Sequence, residues 1–197
     1  MKLSKKGEYA LRSLINLGIA AEVGRSLVQV SELAASEQLP IKFLEQILQA
    51  LKDAGFVTSA RGKFGGYRLA KPAKAITIGD VIRLIDGPLA PIGCVSQTAY
   101  EKCSCPDEEH CGLRMLMLDV RNAIAGILDR YTLADVVEIT LRKLRRNGLP
   151  LPFAVSPADA AAVRTLAQAR RRTMPRPAAR LDATEGVLHQ LLGDYSI

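Results

Sequence analysis

The chain has 197 residues, 48% of them hydrophobic but only 5% aromatic and none Trp, so its core is aliphatic, as in helical proteins. With 27 Lys and Arg against 20 Asp and Glu, the net charge is +7, a balance that favours a polyanionic partner such as nucleic acid. No uninterrupted apolar run reaches the roughly 18 residues needed to cross a bilayer, and the stretch 11–21 that resembles a signal peptide is broken by Arg12 and carries Leu11, Leu14, Ile15, Gly18 and Ile19 at helical spacing. A cytoplasmic location with no membrane partner is expected.

Ser4 caps a first predicted helix that runs to about residue 21. Glu22-Val-Gly-Arg makes a turn, and residues 30–36 form a short second helix with Val30, Leu33 and Ala34 facing inward. Pro40 is expected in the first turn of a third helix, where its missing N–H costs nothing. That helix carries Phe43, Leu44, Ile47, Leu48 and Leu51 at i, i+3, i+4 spacing, and Gly55 ends it. A short helix, a tight turn and a longer helix are the parts of a helix-turn-helix. The period then changes. Residues 56–60 read as a strand, Arg61-Gly-Lys-Phe-Gly-Gly as a glycine turn, and Tyr67-Arg-Leu as the returning strand. Such a hairpin behind the third helix is the wing of a winged helix. Thr77-x-x-Asp80 starts a further helix that Gly87-Pro88 ends.

A long helix follows the loop at 89–111, with apolar residues at Leu113, Met117, Val120, Ile124, Ile127 and Tyr131. Their alternating spacing of four and three makes a heptad seam; packing on its own domain is the plain alternative, and in a small DNA-binding protein so narrow a stripe is expected to pair two copies of the chain. Thr132-x-x-Asp135 caps a last helix to about Arg145. The expected fold is mainly α: a winged helix-turn-helix over residues 1–88, with a small β-hairpin wing, a cysteine-rich loop over 89–111, and a dimerisation helix with a final helix over 112–148. An Ala/Arg/Pro-rich tail occupies 149–197, in which 182–195 has the pattern of an amphipathic helix.

All four cysteines fall within that loop, as Cys94-x8-Cys103-x-Cys105-x5-Cys111. Thiolates are soft ligands for zinc and for iron–sulfur clusters, and four of them complete a tetrahedral or cluster site. Free thiols and a disulfide pair are the plain alternatives. On the third helix, the exposed polar positions are Lys42, Glu45, Gln46 and Gln49. Gln pairs with adenine, Glu accepts from cytosine N4, and Lys contacts phosphate or guanine. The wing adds Arg61, Lys63 and Arg68 around three glycines, which let backbone approach a phosphate or a minor groove. A solvated helix face and an ordinary hairpin turn are the competing readings. With two histidines, no phosphate-binding glycine loop before a helix and no nucleophile–base pair, the chain is not expected to be an enzyme.

Lys6-Gly-Glu-Tyr-Ala-Leu11, Phe43-Leu-Glu-Gln-Ile-Leu48, Arg61-Gly-x-x-Gly-Gly-Tyr-Arg-Leu69 and the cysteine loop together resemble the Rrf-two (Rrf2) family of bacterial winged-helix regulators, of IscR, NsrR and RirA type. The resemblance covers about residues 1–145. It implies a homodimeric transcription regulator on a double-stranded DNA operator, with an iron–sulfur cluster of two or four irons in the loop that senses iron, redox or nitrosative status. The family's DNA-reading glutamate and wing arginine fall on Glu45 and Arg61, and Lys42 on a further contact position. Cys94, Cys105 and Cys111 match the usual three cysteines, leaving Cys103 extra. Glu8 matches an acid that some members contribute from the first helix of the other subunit, and His110, beside Cys111, is another candidate ligand; a first-turn acid facing the helix dipole and a solvated helix-start residue are the plain alternatives. Zinc on the same thiolates, a thiol-switch repressor and a metal-binding scaffold that does not touch DNA are the rival readings.

Overall fold

The structure, a computed structural model, describes residues 3–62 and 65–154. Helix α1 (Lys5–Glu22) begins at Ser4, whose Oγ accepts from the Gly7 amide at 2.9 Å. Ala10, Leu14 and Leu17 face the core from it. Helices α2 (Val30–Glu37) and α3 (Ile41–Asp53) follow. Leu33 from α2 and Leu44, Ile47, Leu48 and Leu51 from α3 are fully buried, and each contributes about 1.5–3 kcal/mol relative to leaving it exposed. Val30, expected inward, is half-buried. Gln38 ends α2 in the left-handed region at φ 53°. Pro40 stands just before α3 and not in its first turn, because its ψ of 130° is extended.

Strands β1 (Val57–Ala60) and β2 (Gly66–Leu69) make the antiparallel wing, in register from Val57 opposite Leu69 to Ala60 opposite Gly66. The first strand starts one residue later than the sequence suggests. The Phe56 amide closes α3 by donating to Leu51 O at 2.8 Å, so it is not free for the ladder. Val28 adds a bridge to Tyr67 on the other side, with bonds of 3.0 and 2.8 Å.

Helices α4 (Ile78–Asp86) and α6 (Leu133–Arg146) start side by side. Their caps Thr77 and Thr132 pair as a single bridge, Ile78 N–H donating to Tyr131 O and Leu133 N–H to Ile76 O. Thr132 and Asp135 form the reciprocal capping box expected of them. Helix α6 lies close against α1 at Gly18, where a Cβ would meet Val137 Cγ2 at 2.6 Å. Helix α5 (Gly112–Arg130) precedes α6 in the chain and packs on α4. Arg83 of α4 grips Asp129 of α5 with two hydrogen bonds of 2.7 Å.

No residue of α5 is buried. The expected seam divides between two faces: Met117, Ile124 and Tyr131 are half-buried on their own chain, and Tyr131 lies just past the helix end. The outward stripe is Leu113, Leu116, Val120, Ala123 and Ile127, with spacings of three and four. Its leucines and Ile127 are each more than half exposed.

Among the described residues, no helix is long and apolar enough to cross a membrane. Leu151 and Phe153 pack back onto the core after α6. The predicted helix over 182–195 and the arginine-rich stretch before it lie outside the described residues.

Candidate DNA interface and thiol centre

Burial of one face of α3 turns the other to solvent, and Lys42, Glu45, Gln46 and Gln49 are all exposed there. Gln49 is tied one turn on, its Nε2 donating to Asp53 Oδ1 at 2.7 Å. Helix α1 braces this unit from behind. Tyr9 meets Phe43 edge to face at 6.0 Å, and Arg12 reaches the buried Glu37 at 2.5 Å, with Asn16 donating to the same carboxylate. Burial nevertheless holds the Glu37 carboxyl above the ordinary 4.5, outweighing Arg12. The wing lies beside α3: burial and then the Glu45 charge push the Tyr67 hydroxyl upward.

Arg61 is exposed directly after β1, and exposed Arg68 crosses the ladder, its Nε donating to Thr58 Oγ1 at 3.3 Å. Lys63 lies outside the described residues. Two of the wing glycines have a reason within the protein. A Cβ on Gly65 would sit 2.3 Å from Ala60 O, and one on Gly66 would sit 2.5 Å from Val28 O.

The cysteine loop is short of regular structure. A 3-10 turn, Gly93–Val95, buries Cys94, and Cys111 stands at the N-cap of α5. The loop folds back at Gly93, whose carbonyl accepts from the Glu101 amide at 3.2 Å. This return brings all four thiols together. Burial, and then the neighbouring Cys103, push the Cys94 thiol up. Cys103 and Cys111 flank Cys105 and push it up to about 11, while the Cys105 and Cys111 sulfurs lie 3.9 Å apart. Cys111 goes the other way. The backbone amides of Arg114 and Leu113, in the first turn of α5, favour its thiolate and hold it below the ordinary 9.0. The extra cysteine therefore sits within the cluster, in contact with both Cys94 and Cys105.

Among the described residues, Cys94, Cys103 and Glu108 bring their ligand atoms within 4.8 Å of one another. Neither Glu8 nor His110 joins that group. Glu8 pairs with Lys5 at 2.8 Å and Arg12 at 3.7 Å, and Lys5 holds its carboxyl below 4.5. The His110 side chain is exposed, with Nδ1 2.8 Å from Asp107 Oδ2. Glu108 is a residue that sequence spacing did not single out. The acidic run Asp107-Glu-Glu109 inside a thiolate loop was the available signal, but nothing local says which of the three turns inward.

The family model for Rrf2, described as "Iron-dependent Transcriptional regulator", matches residues 3–139. The helix-turn-helix-type transcriptional regulator CymR of Bacillus subtilis is 34% identical over 140 residues, covering 71% of this chain and 92% of that protein. Protein rrf2 of Nitratidesulfovibrio vulgaris is 31% identical over 137 residues, covering 70% and 87%. Among solved structures, CymR (YrzC), "the Global Cysteine Regulator of B. subtilis", superimposes with a TM-score of 0.59 at 33% identity, over 71% of this chain and 98% of that one. IscR of T. potens gives 0.55 at 28% identity, over 71% and 88%. The two solved neighbours are winged-helix regulators, as this mainly helical chain with its two-stranded hairpin is, and the family consists of transcriptional regulators, not enzymes. The chain belongs to the Rrf2 family of transcriptional regulators.

Proposed function

We propose that this regulator acts in the cytoplasm as a homodimer, and that it reads iron, redox or nitrosative status through an iron–sulfur cluster held by Cys94, Cys103, Cys105 and Cys111. The observation that carries the reading is the convergence of four thiols at the start of α5, the helix whose outward face is an exposed apolar stripe. The donor set suits such a group: four soft sulfurs, one of them already favoured as a thiolate by a helix N-terminus. When bound, a cluster supplies a centre sensitive to oxidation and to added ligands.

The chain's own residues do the rest. Lys42, Glu45, Gln46 and Gln49 enter the major groove of a pseudo-palindromic operator, and Arg61, Lys63 and Arg68 hold the flanking backbone or minor groove. The α5 stripe pairs with its copy in a second chain and sets the spacing of the two heads. A change at the loop reaches DNA only if the two states differ in DNA affinity.

Protein purified without oxygen should show cysteine-to-iron absorption, with iron and acid-labile sulfide in matching amounts. Stoichiometric zinc without sulfide, from iron-replete cells, refutes the cluster and leaves the DNA-binding role standing. One observation favours a second reading, a thiol switch: the Cys105–Cys111 sulfurs, at 3.9 Å, need to close by only about 2 Å to bond. Oxidation with diamide followed by mass analysis separates the two, because a switch passes two hydrogen atoms (two protons and two electrons) to diamide and reversibly loses about 2 Da in iron-free protein.

A further inference from the structure

The thiol centre includes one carboxylate, and that carboxylate touches the helix that follows. Both Glu108 oxygens accept from the Tyr100 hydroxyl, at 2.9 and 2.7 Å, and Oε1 faces Arg114 Nε at 3.2 Å. Its side chain is only 22% exposed. Arg114 Nε is buried and has no well-angled hydrogen bond, so the facing Glu108 carboxylate answers its charge electrostatically. On the other side, the ligand atoms of Glu108, Cys94 and Cys103 all lie within 4.8 Å of one another. Ligand atoms around one tetrahedral ion stand roughly 3.5–4 Å apart, given metal–sulfur and metal–oxygen bonds of about 2.3 and 2.1 Å. The three donors are thus at most about an ångström per pair from closing on a cation.

We propose that Glu108 is an exchangeable carboxylate: an oxygen ligand, beside Cys94 and Cys103, for a thiophilic cation, and the counter-ion of Arg114 when no cation is bound. The inference rests on the metal-binding reading of the loop and adds to it an oxygen donor and a link to α5. Arg114 lies in the first turn of α5, between Leu113 and Leu116 of the outward stripe. Turning Glu108 toward a cation withdraws it from Tyr100 and loosens its hold on Arg114. Occupancy of the thiol centre is then felt where the stripe begins. An oxygen is a harder donor than a thiolate, so this corner exchanges more readily than the two thiolate corners.

The test uses the full reduced chain without oxygen, with Co2+ as the probe, in the wild type, Glu108→Gln and Glu108→Asp. Wild-type protein should show thiolate-to-cobalt charge transfer. Glu108→Gln should bind Co2+ at least about tenfold more weakly and with displaced ligand-field bands, whereas Glu108→Asp, which keeps a carboxylate, retains those bands. Hydrogen exchange supplies a readout independent of the variants: Co2+ should speed exchange at the amides of residues 113–116 in the wild type. In Glu108→Gln those amides should exchange fast from the start and ignore Co2+. A Glu108→Gln variant with wild-type affinity and spectrum overturns the proposal. So does weaker binding with an unchanged spectrum, which makes Glu108 a support for the thiols and not a ligand, and so does wild-type exchange indifferent to Co2+. Absence of any charge-transfer band in the wild type is a different failure, that of the metal-binding reading itself.

Discussion

Truncating the outward stripe of α5 should dissociate the proposed dimer without unfolding the chain. Leu116 and Ile127 are 56% and 54% exposed. Full burial of such a side chain contributes about 1.5–3 kcal/mol, so covering the exposed half contributes about 1–1.5 kcal/mol. A two-fold interface uses each residue twice, which brings one substitution to about 2–3 kcal/mol. That is roughly a 30- to 150-fold rise in the dimer dissociation constant. Sedimentation equilibrium over a range of concentrations measures it for Leu116→Ala and Ile127→Ala. The control is Ile124→Ala: Ile124 is half-buried on its own chain, so this variant should lower the melting temperature more than the association. The stripe is not the pairing surface if both outward variants associate within threefold of wild type, or if Ile124→Ala proves the most disruptive of the three.

On duplex DNA, about three phosphates neutralised per monomer give a log–log salt slope near roughly −5 for the dimer; filter binding from low to moderate salt checks it, and a flat response argues against the interface. Arg61→Ala should cost about 1–3 kcal/mol on the specific site, while Lys63→Ala should weaken operator and random DNA alike; equal losses from both variants on both DNAs remove that division of roles. Gly65→Ala puts a methyl against Ala60 O at 2.3 Å, backbone that cannot step aside, so operator affinity should fall while the dimer constant holds. Asp129 titrates below its ordinary 3.8 because Arg83 hydrogen-bonds its charged form. Its folded value lies under its unfolded one, so its contribution is full above pH 3.8 and lost as pH falls through the folded value. Asp129→Asn should flatten that part of the acid-unfolding curve, and an acid limb identical to wild type would show that the Arg83 grip adds no stability.

The sequence alone determined whatever depends on near neighbours along the chain. Ser4, Thr77 and Thr132 cap helices because a hydroxyl reaches an amide three residues on whatever the rest of the fold does. The buried face of α3 is legible because Leu44, Ile47, Leu48 and Leu51 share one stripe and polar residues fill the rest. Pairing of the wing followed from two short strand-like runs around a glycine turn, and a thiol centre from cysteine density.

Long-range packing decided the remainder. Helix α5 carries Leu113, Met115, Leu116, Met117, Leu118, Val120, Ile124, Ile127 and Leu128 around much of its circumference, so several stripes with spacings of three and four coexist. Contact with its own chain, including the Arg83–Asp129 grip, covers one of them and leaves another outward. Gly65 and Gly66 read as openings for a phosphate, yet a carbonyl from Ala60 and one from Val28 fill the space a side chain would need. Glu108 was invisible for the same reason. In a loop with no period, the facing of one carboxylate among Asp107, Glu108 and Glu109 is set by where the chain returns past Gly93, and by Tyr100 and Arg114 waiting on either side.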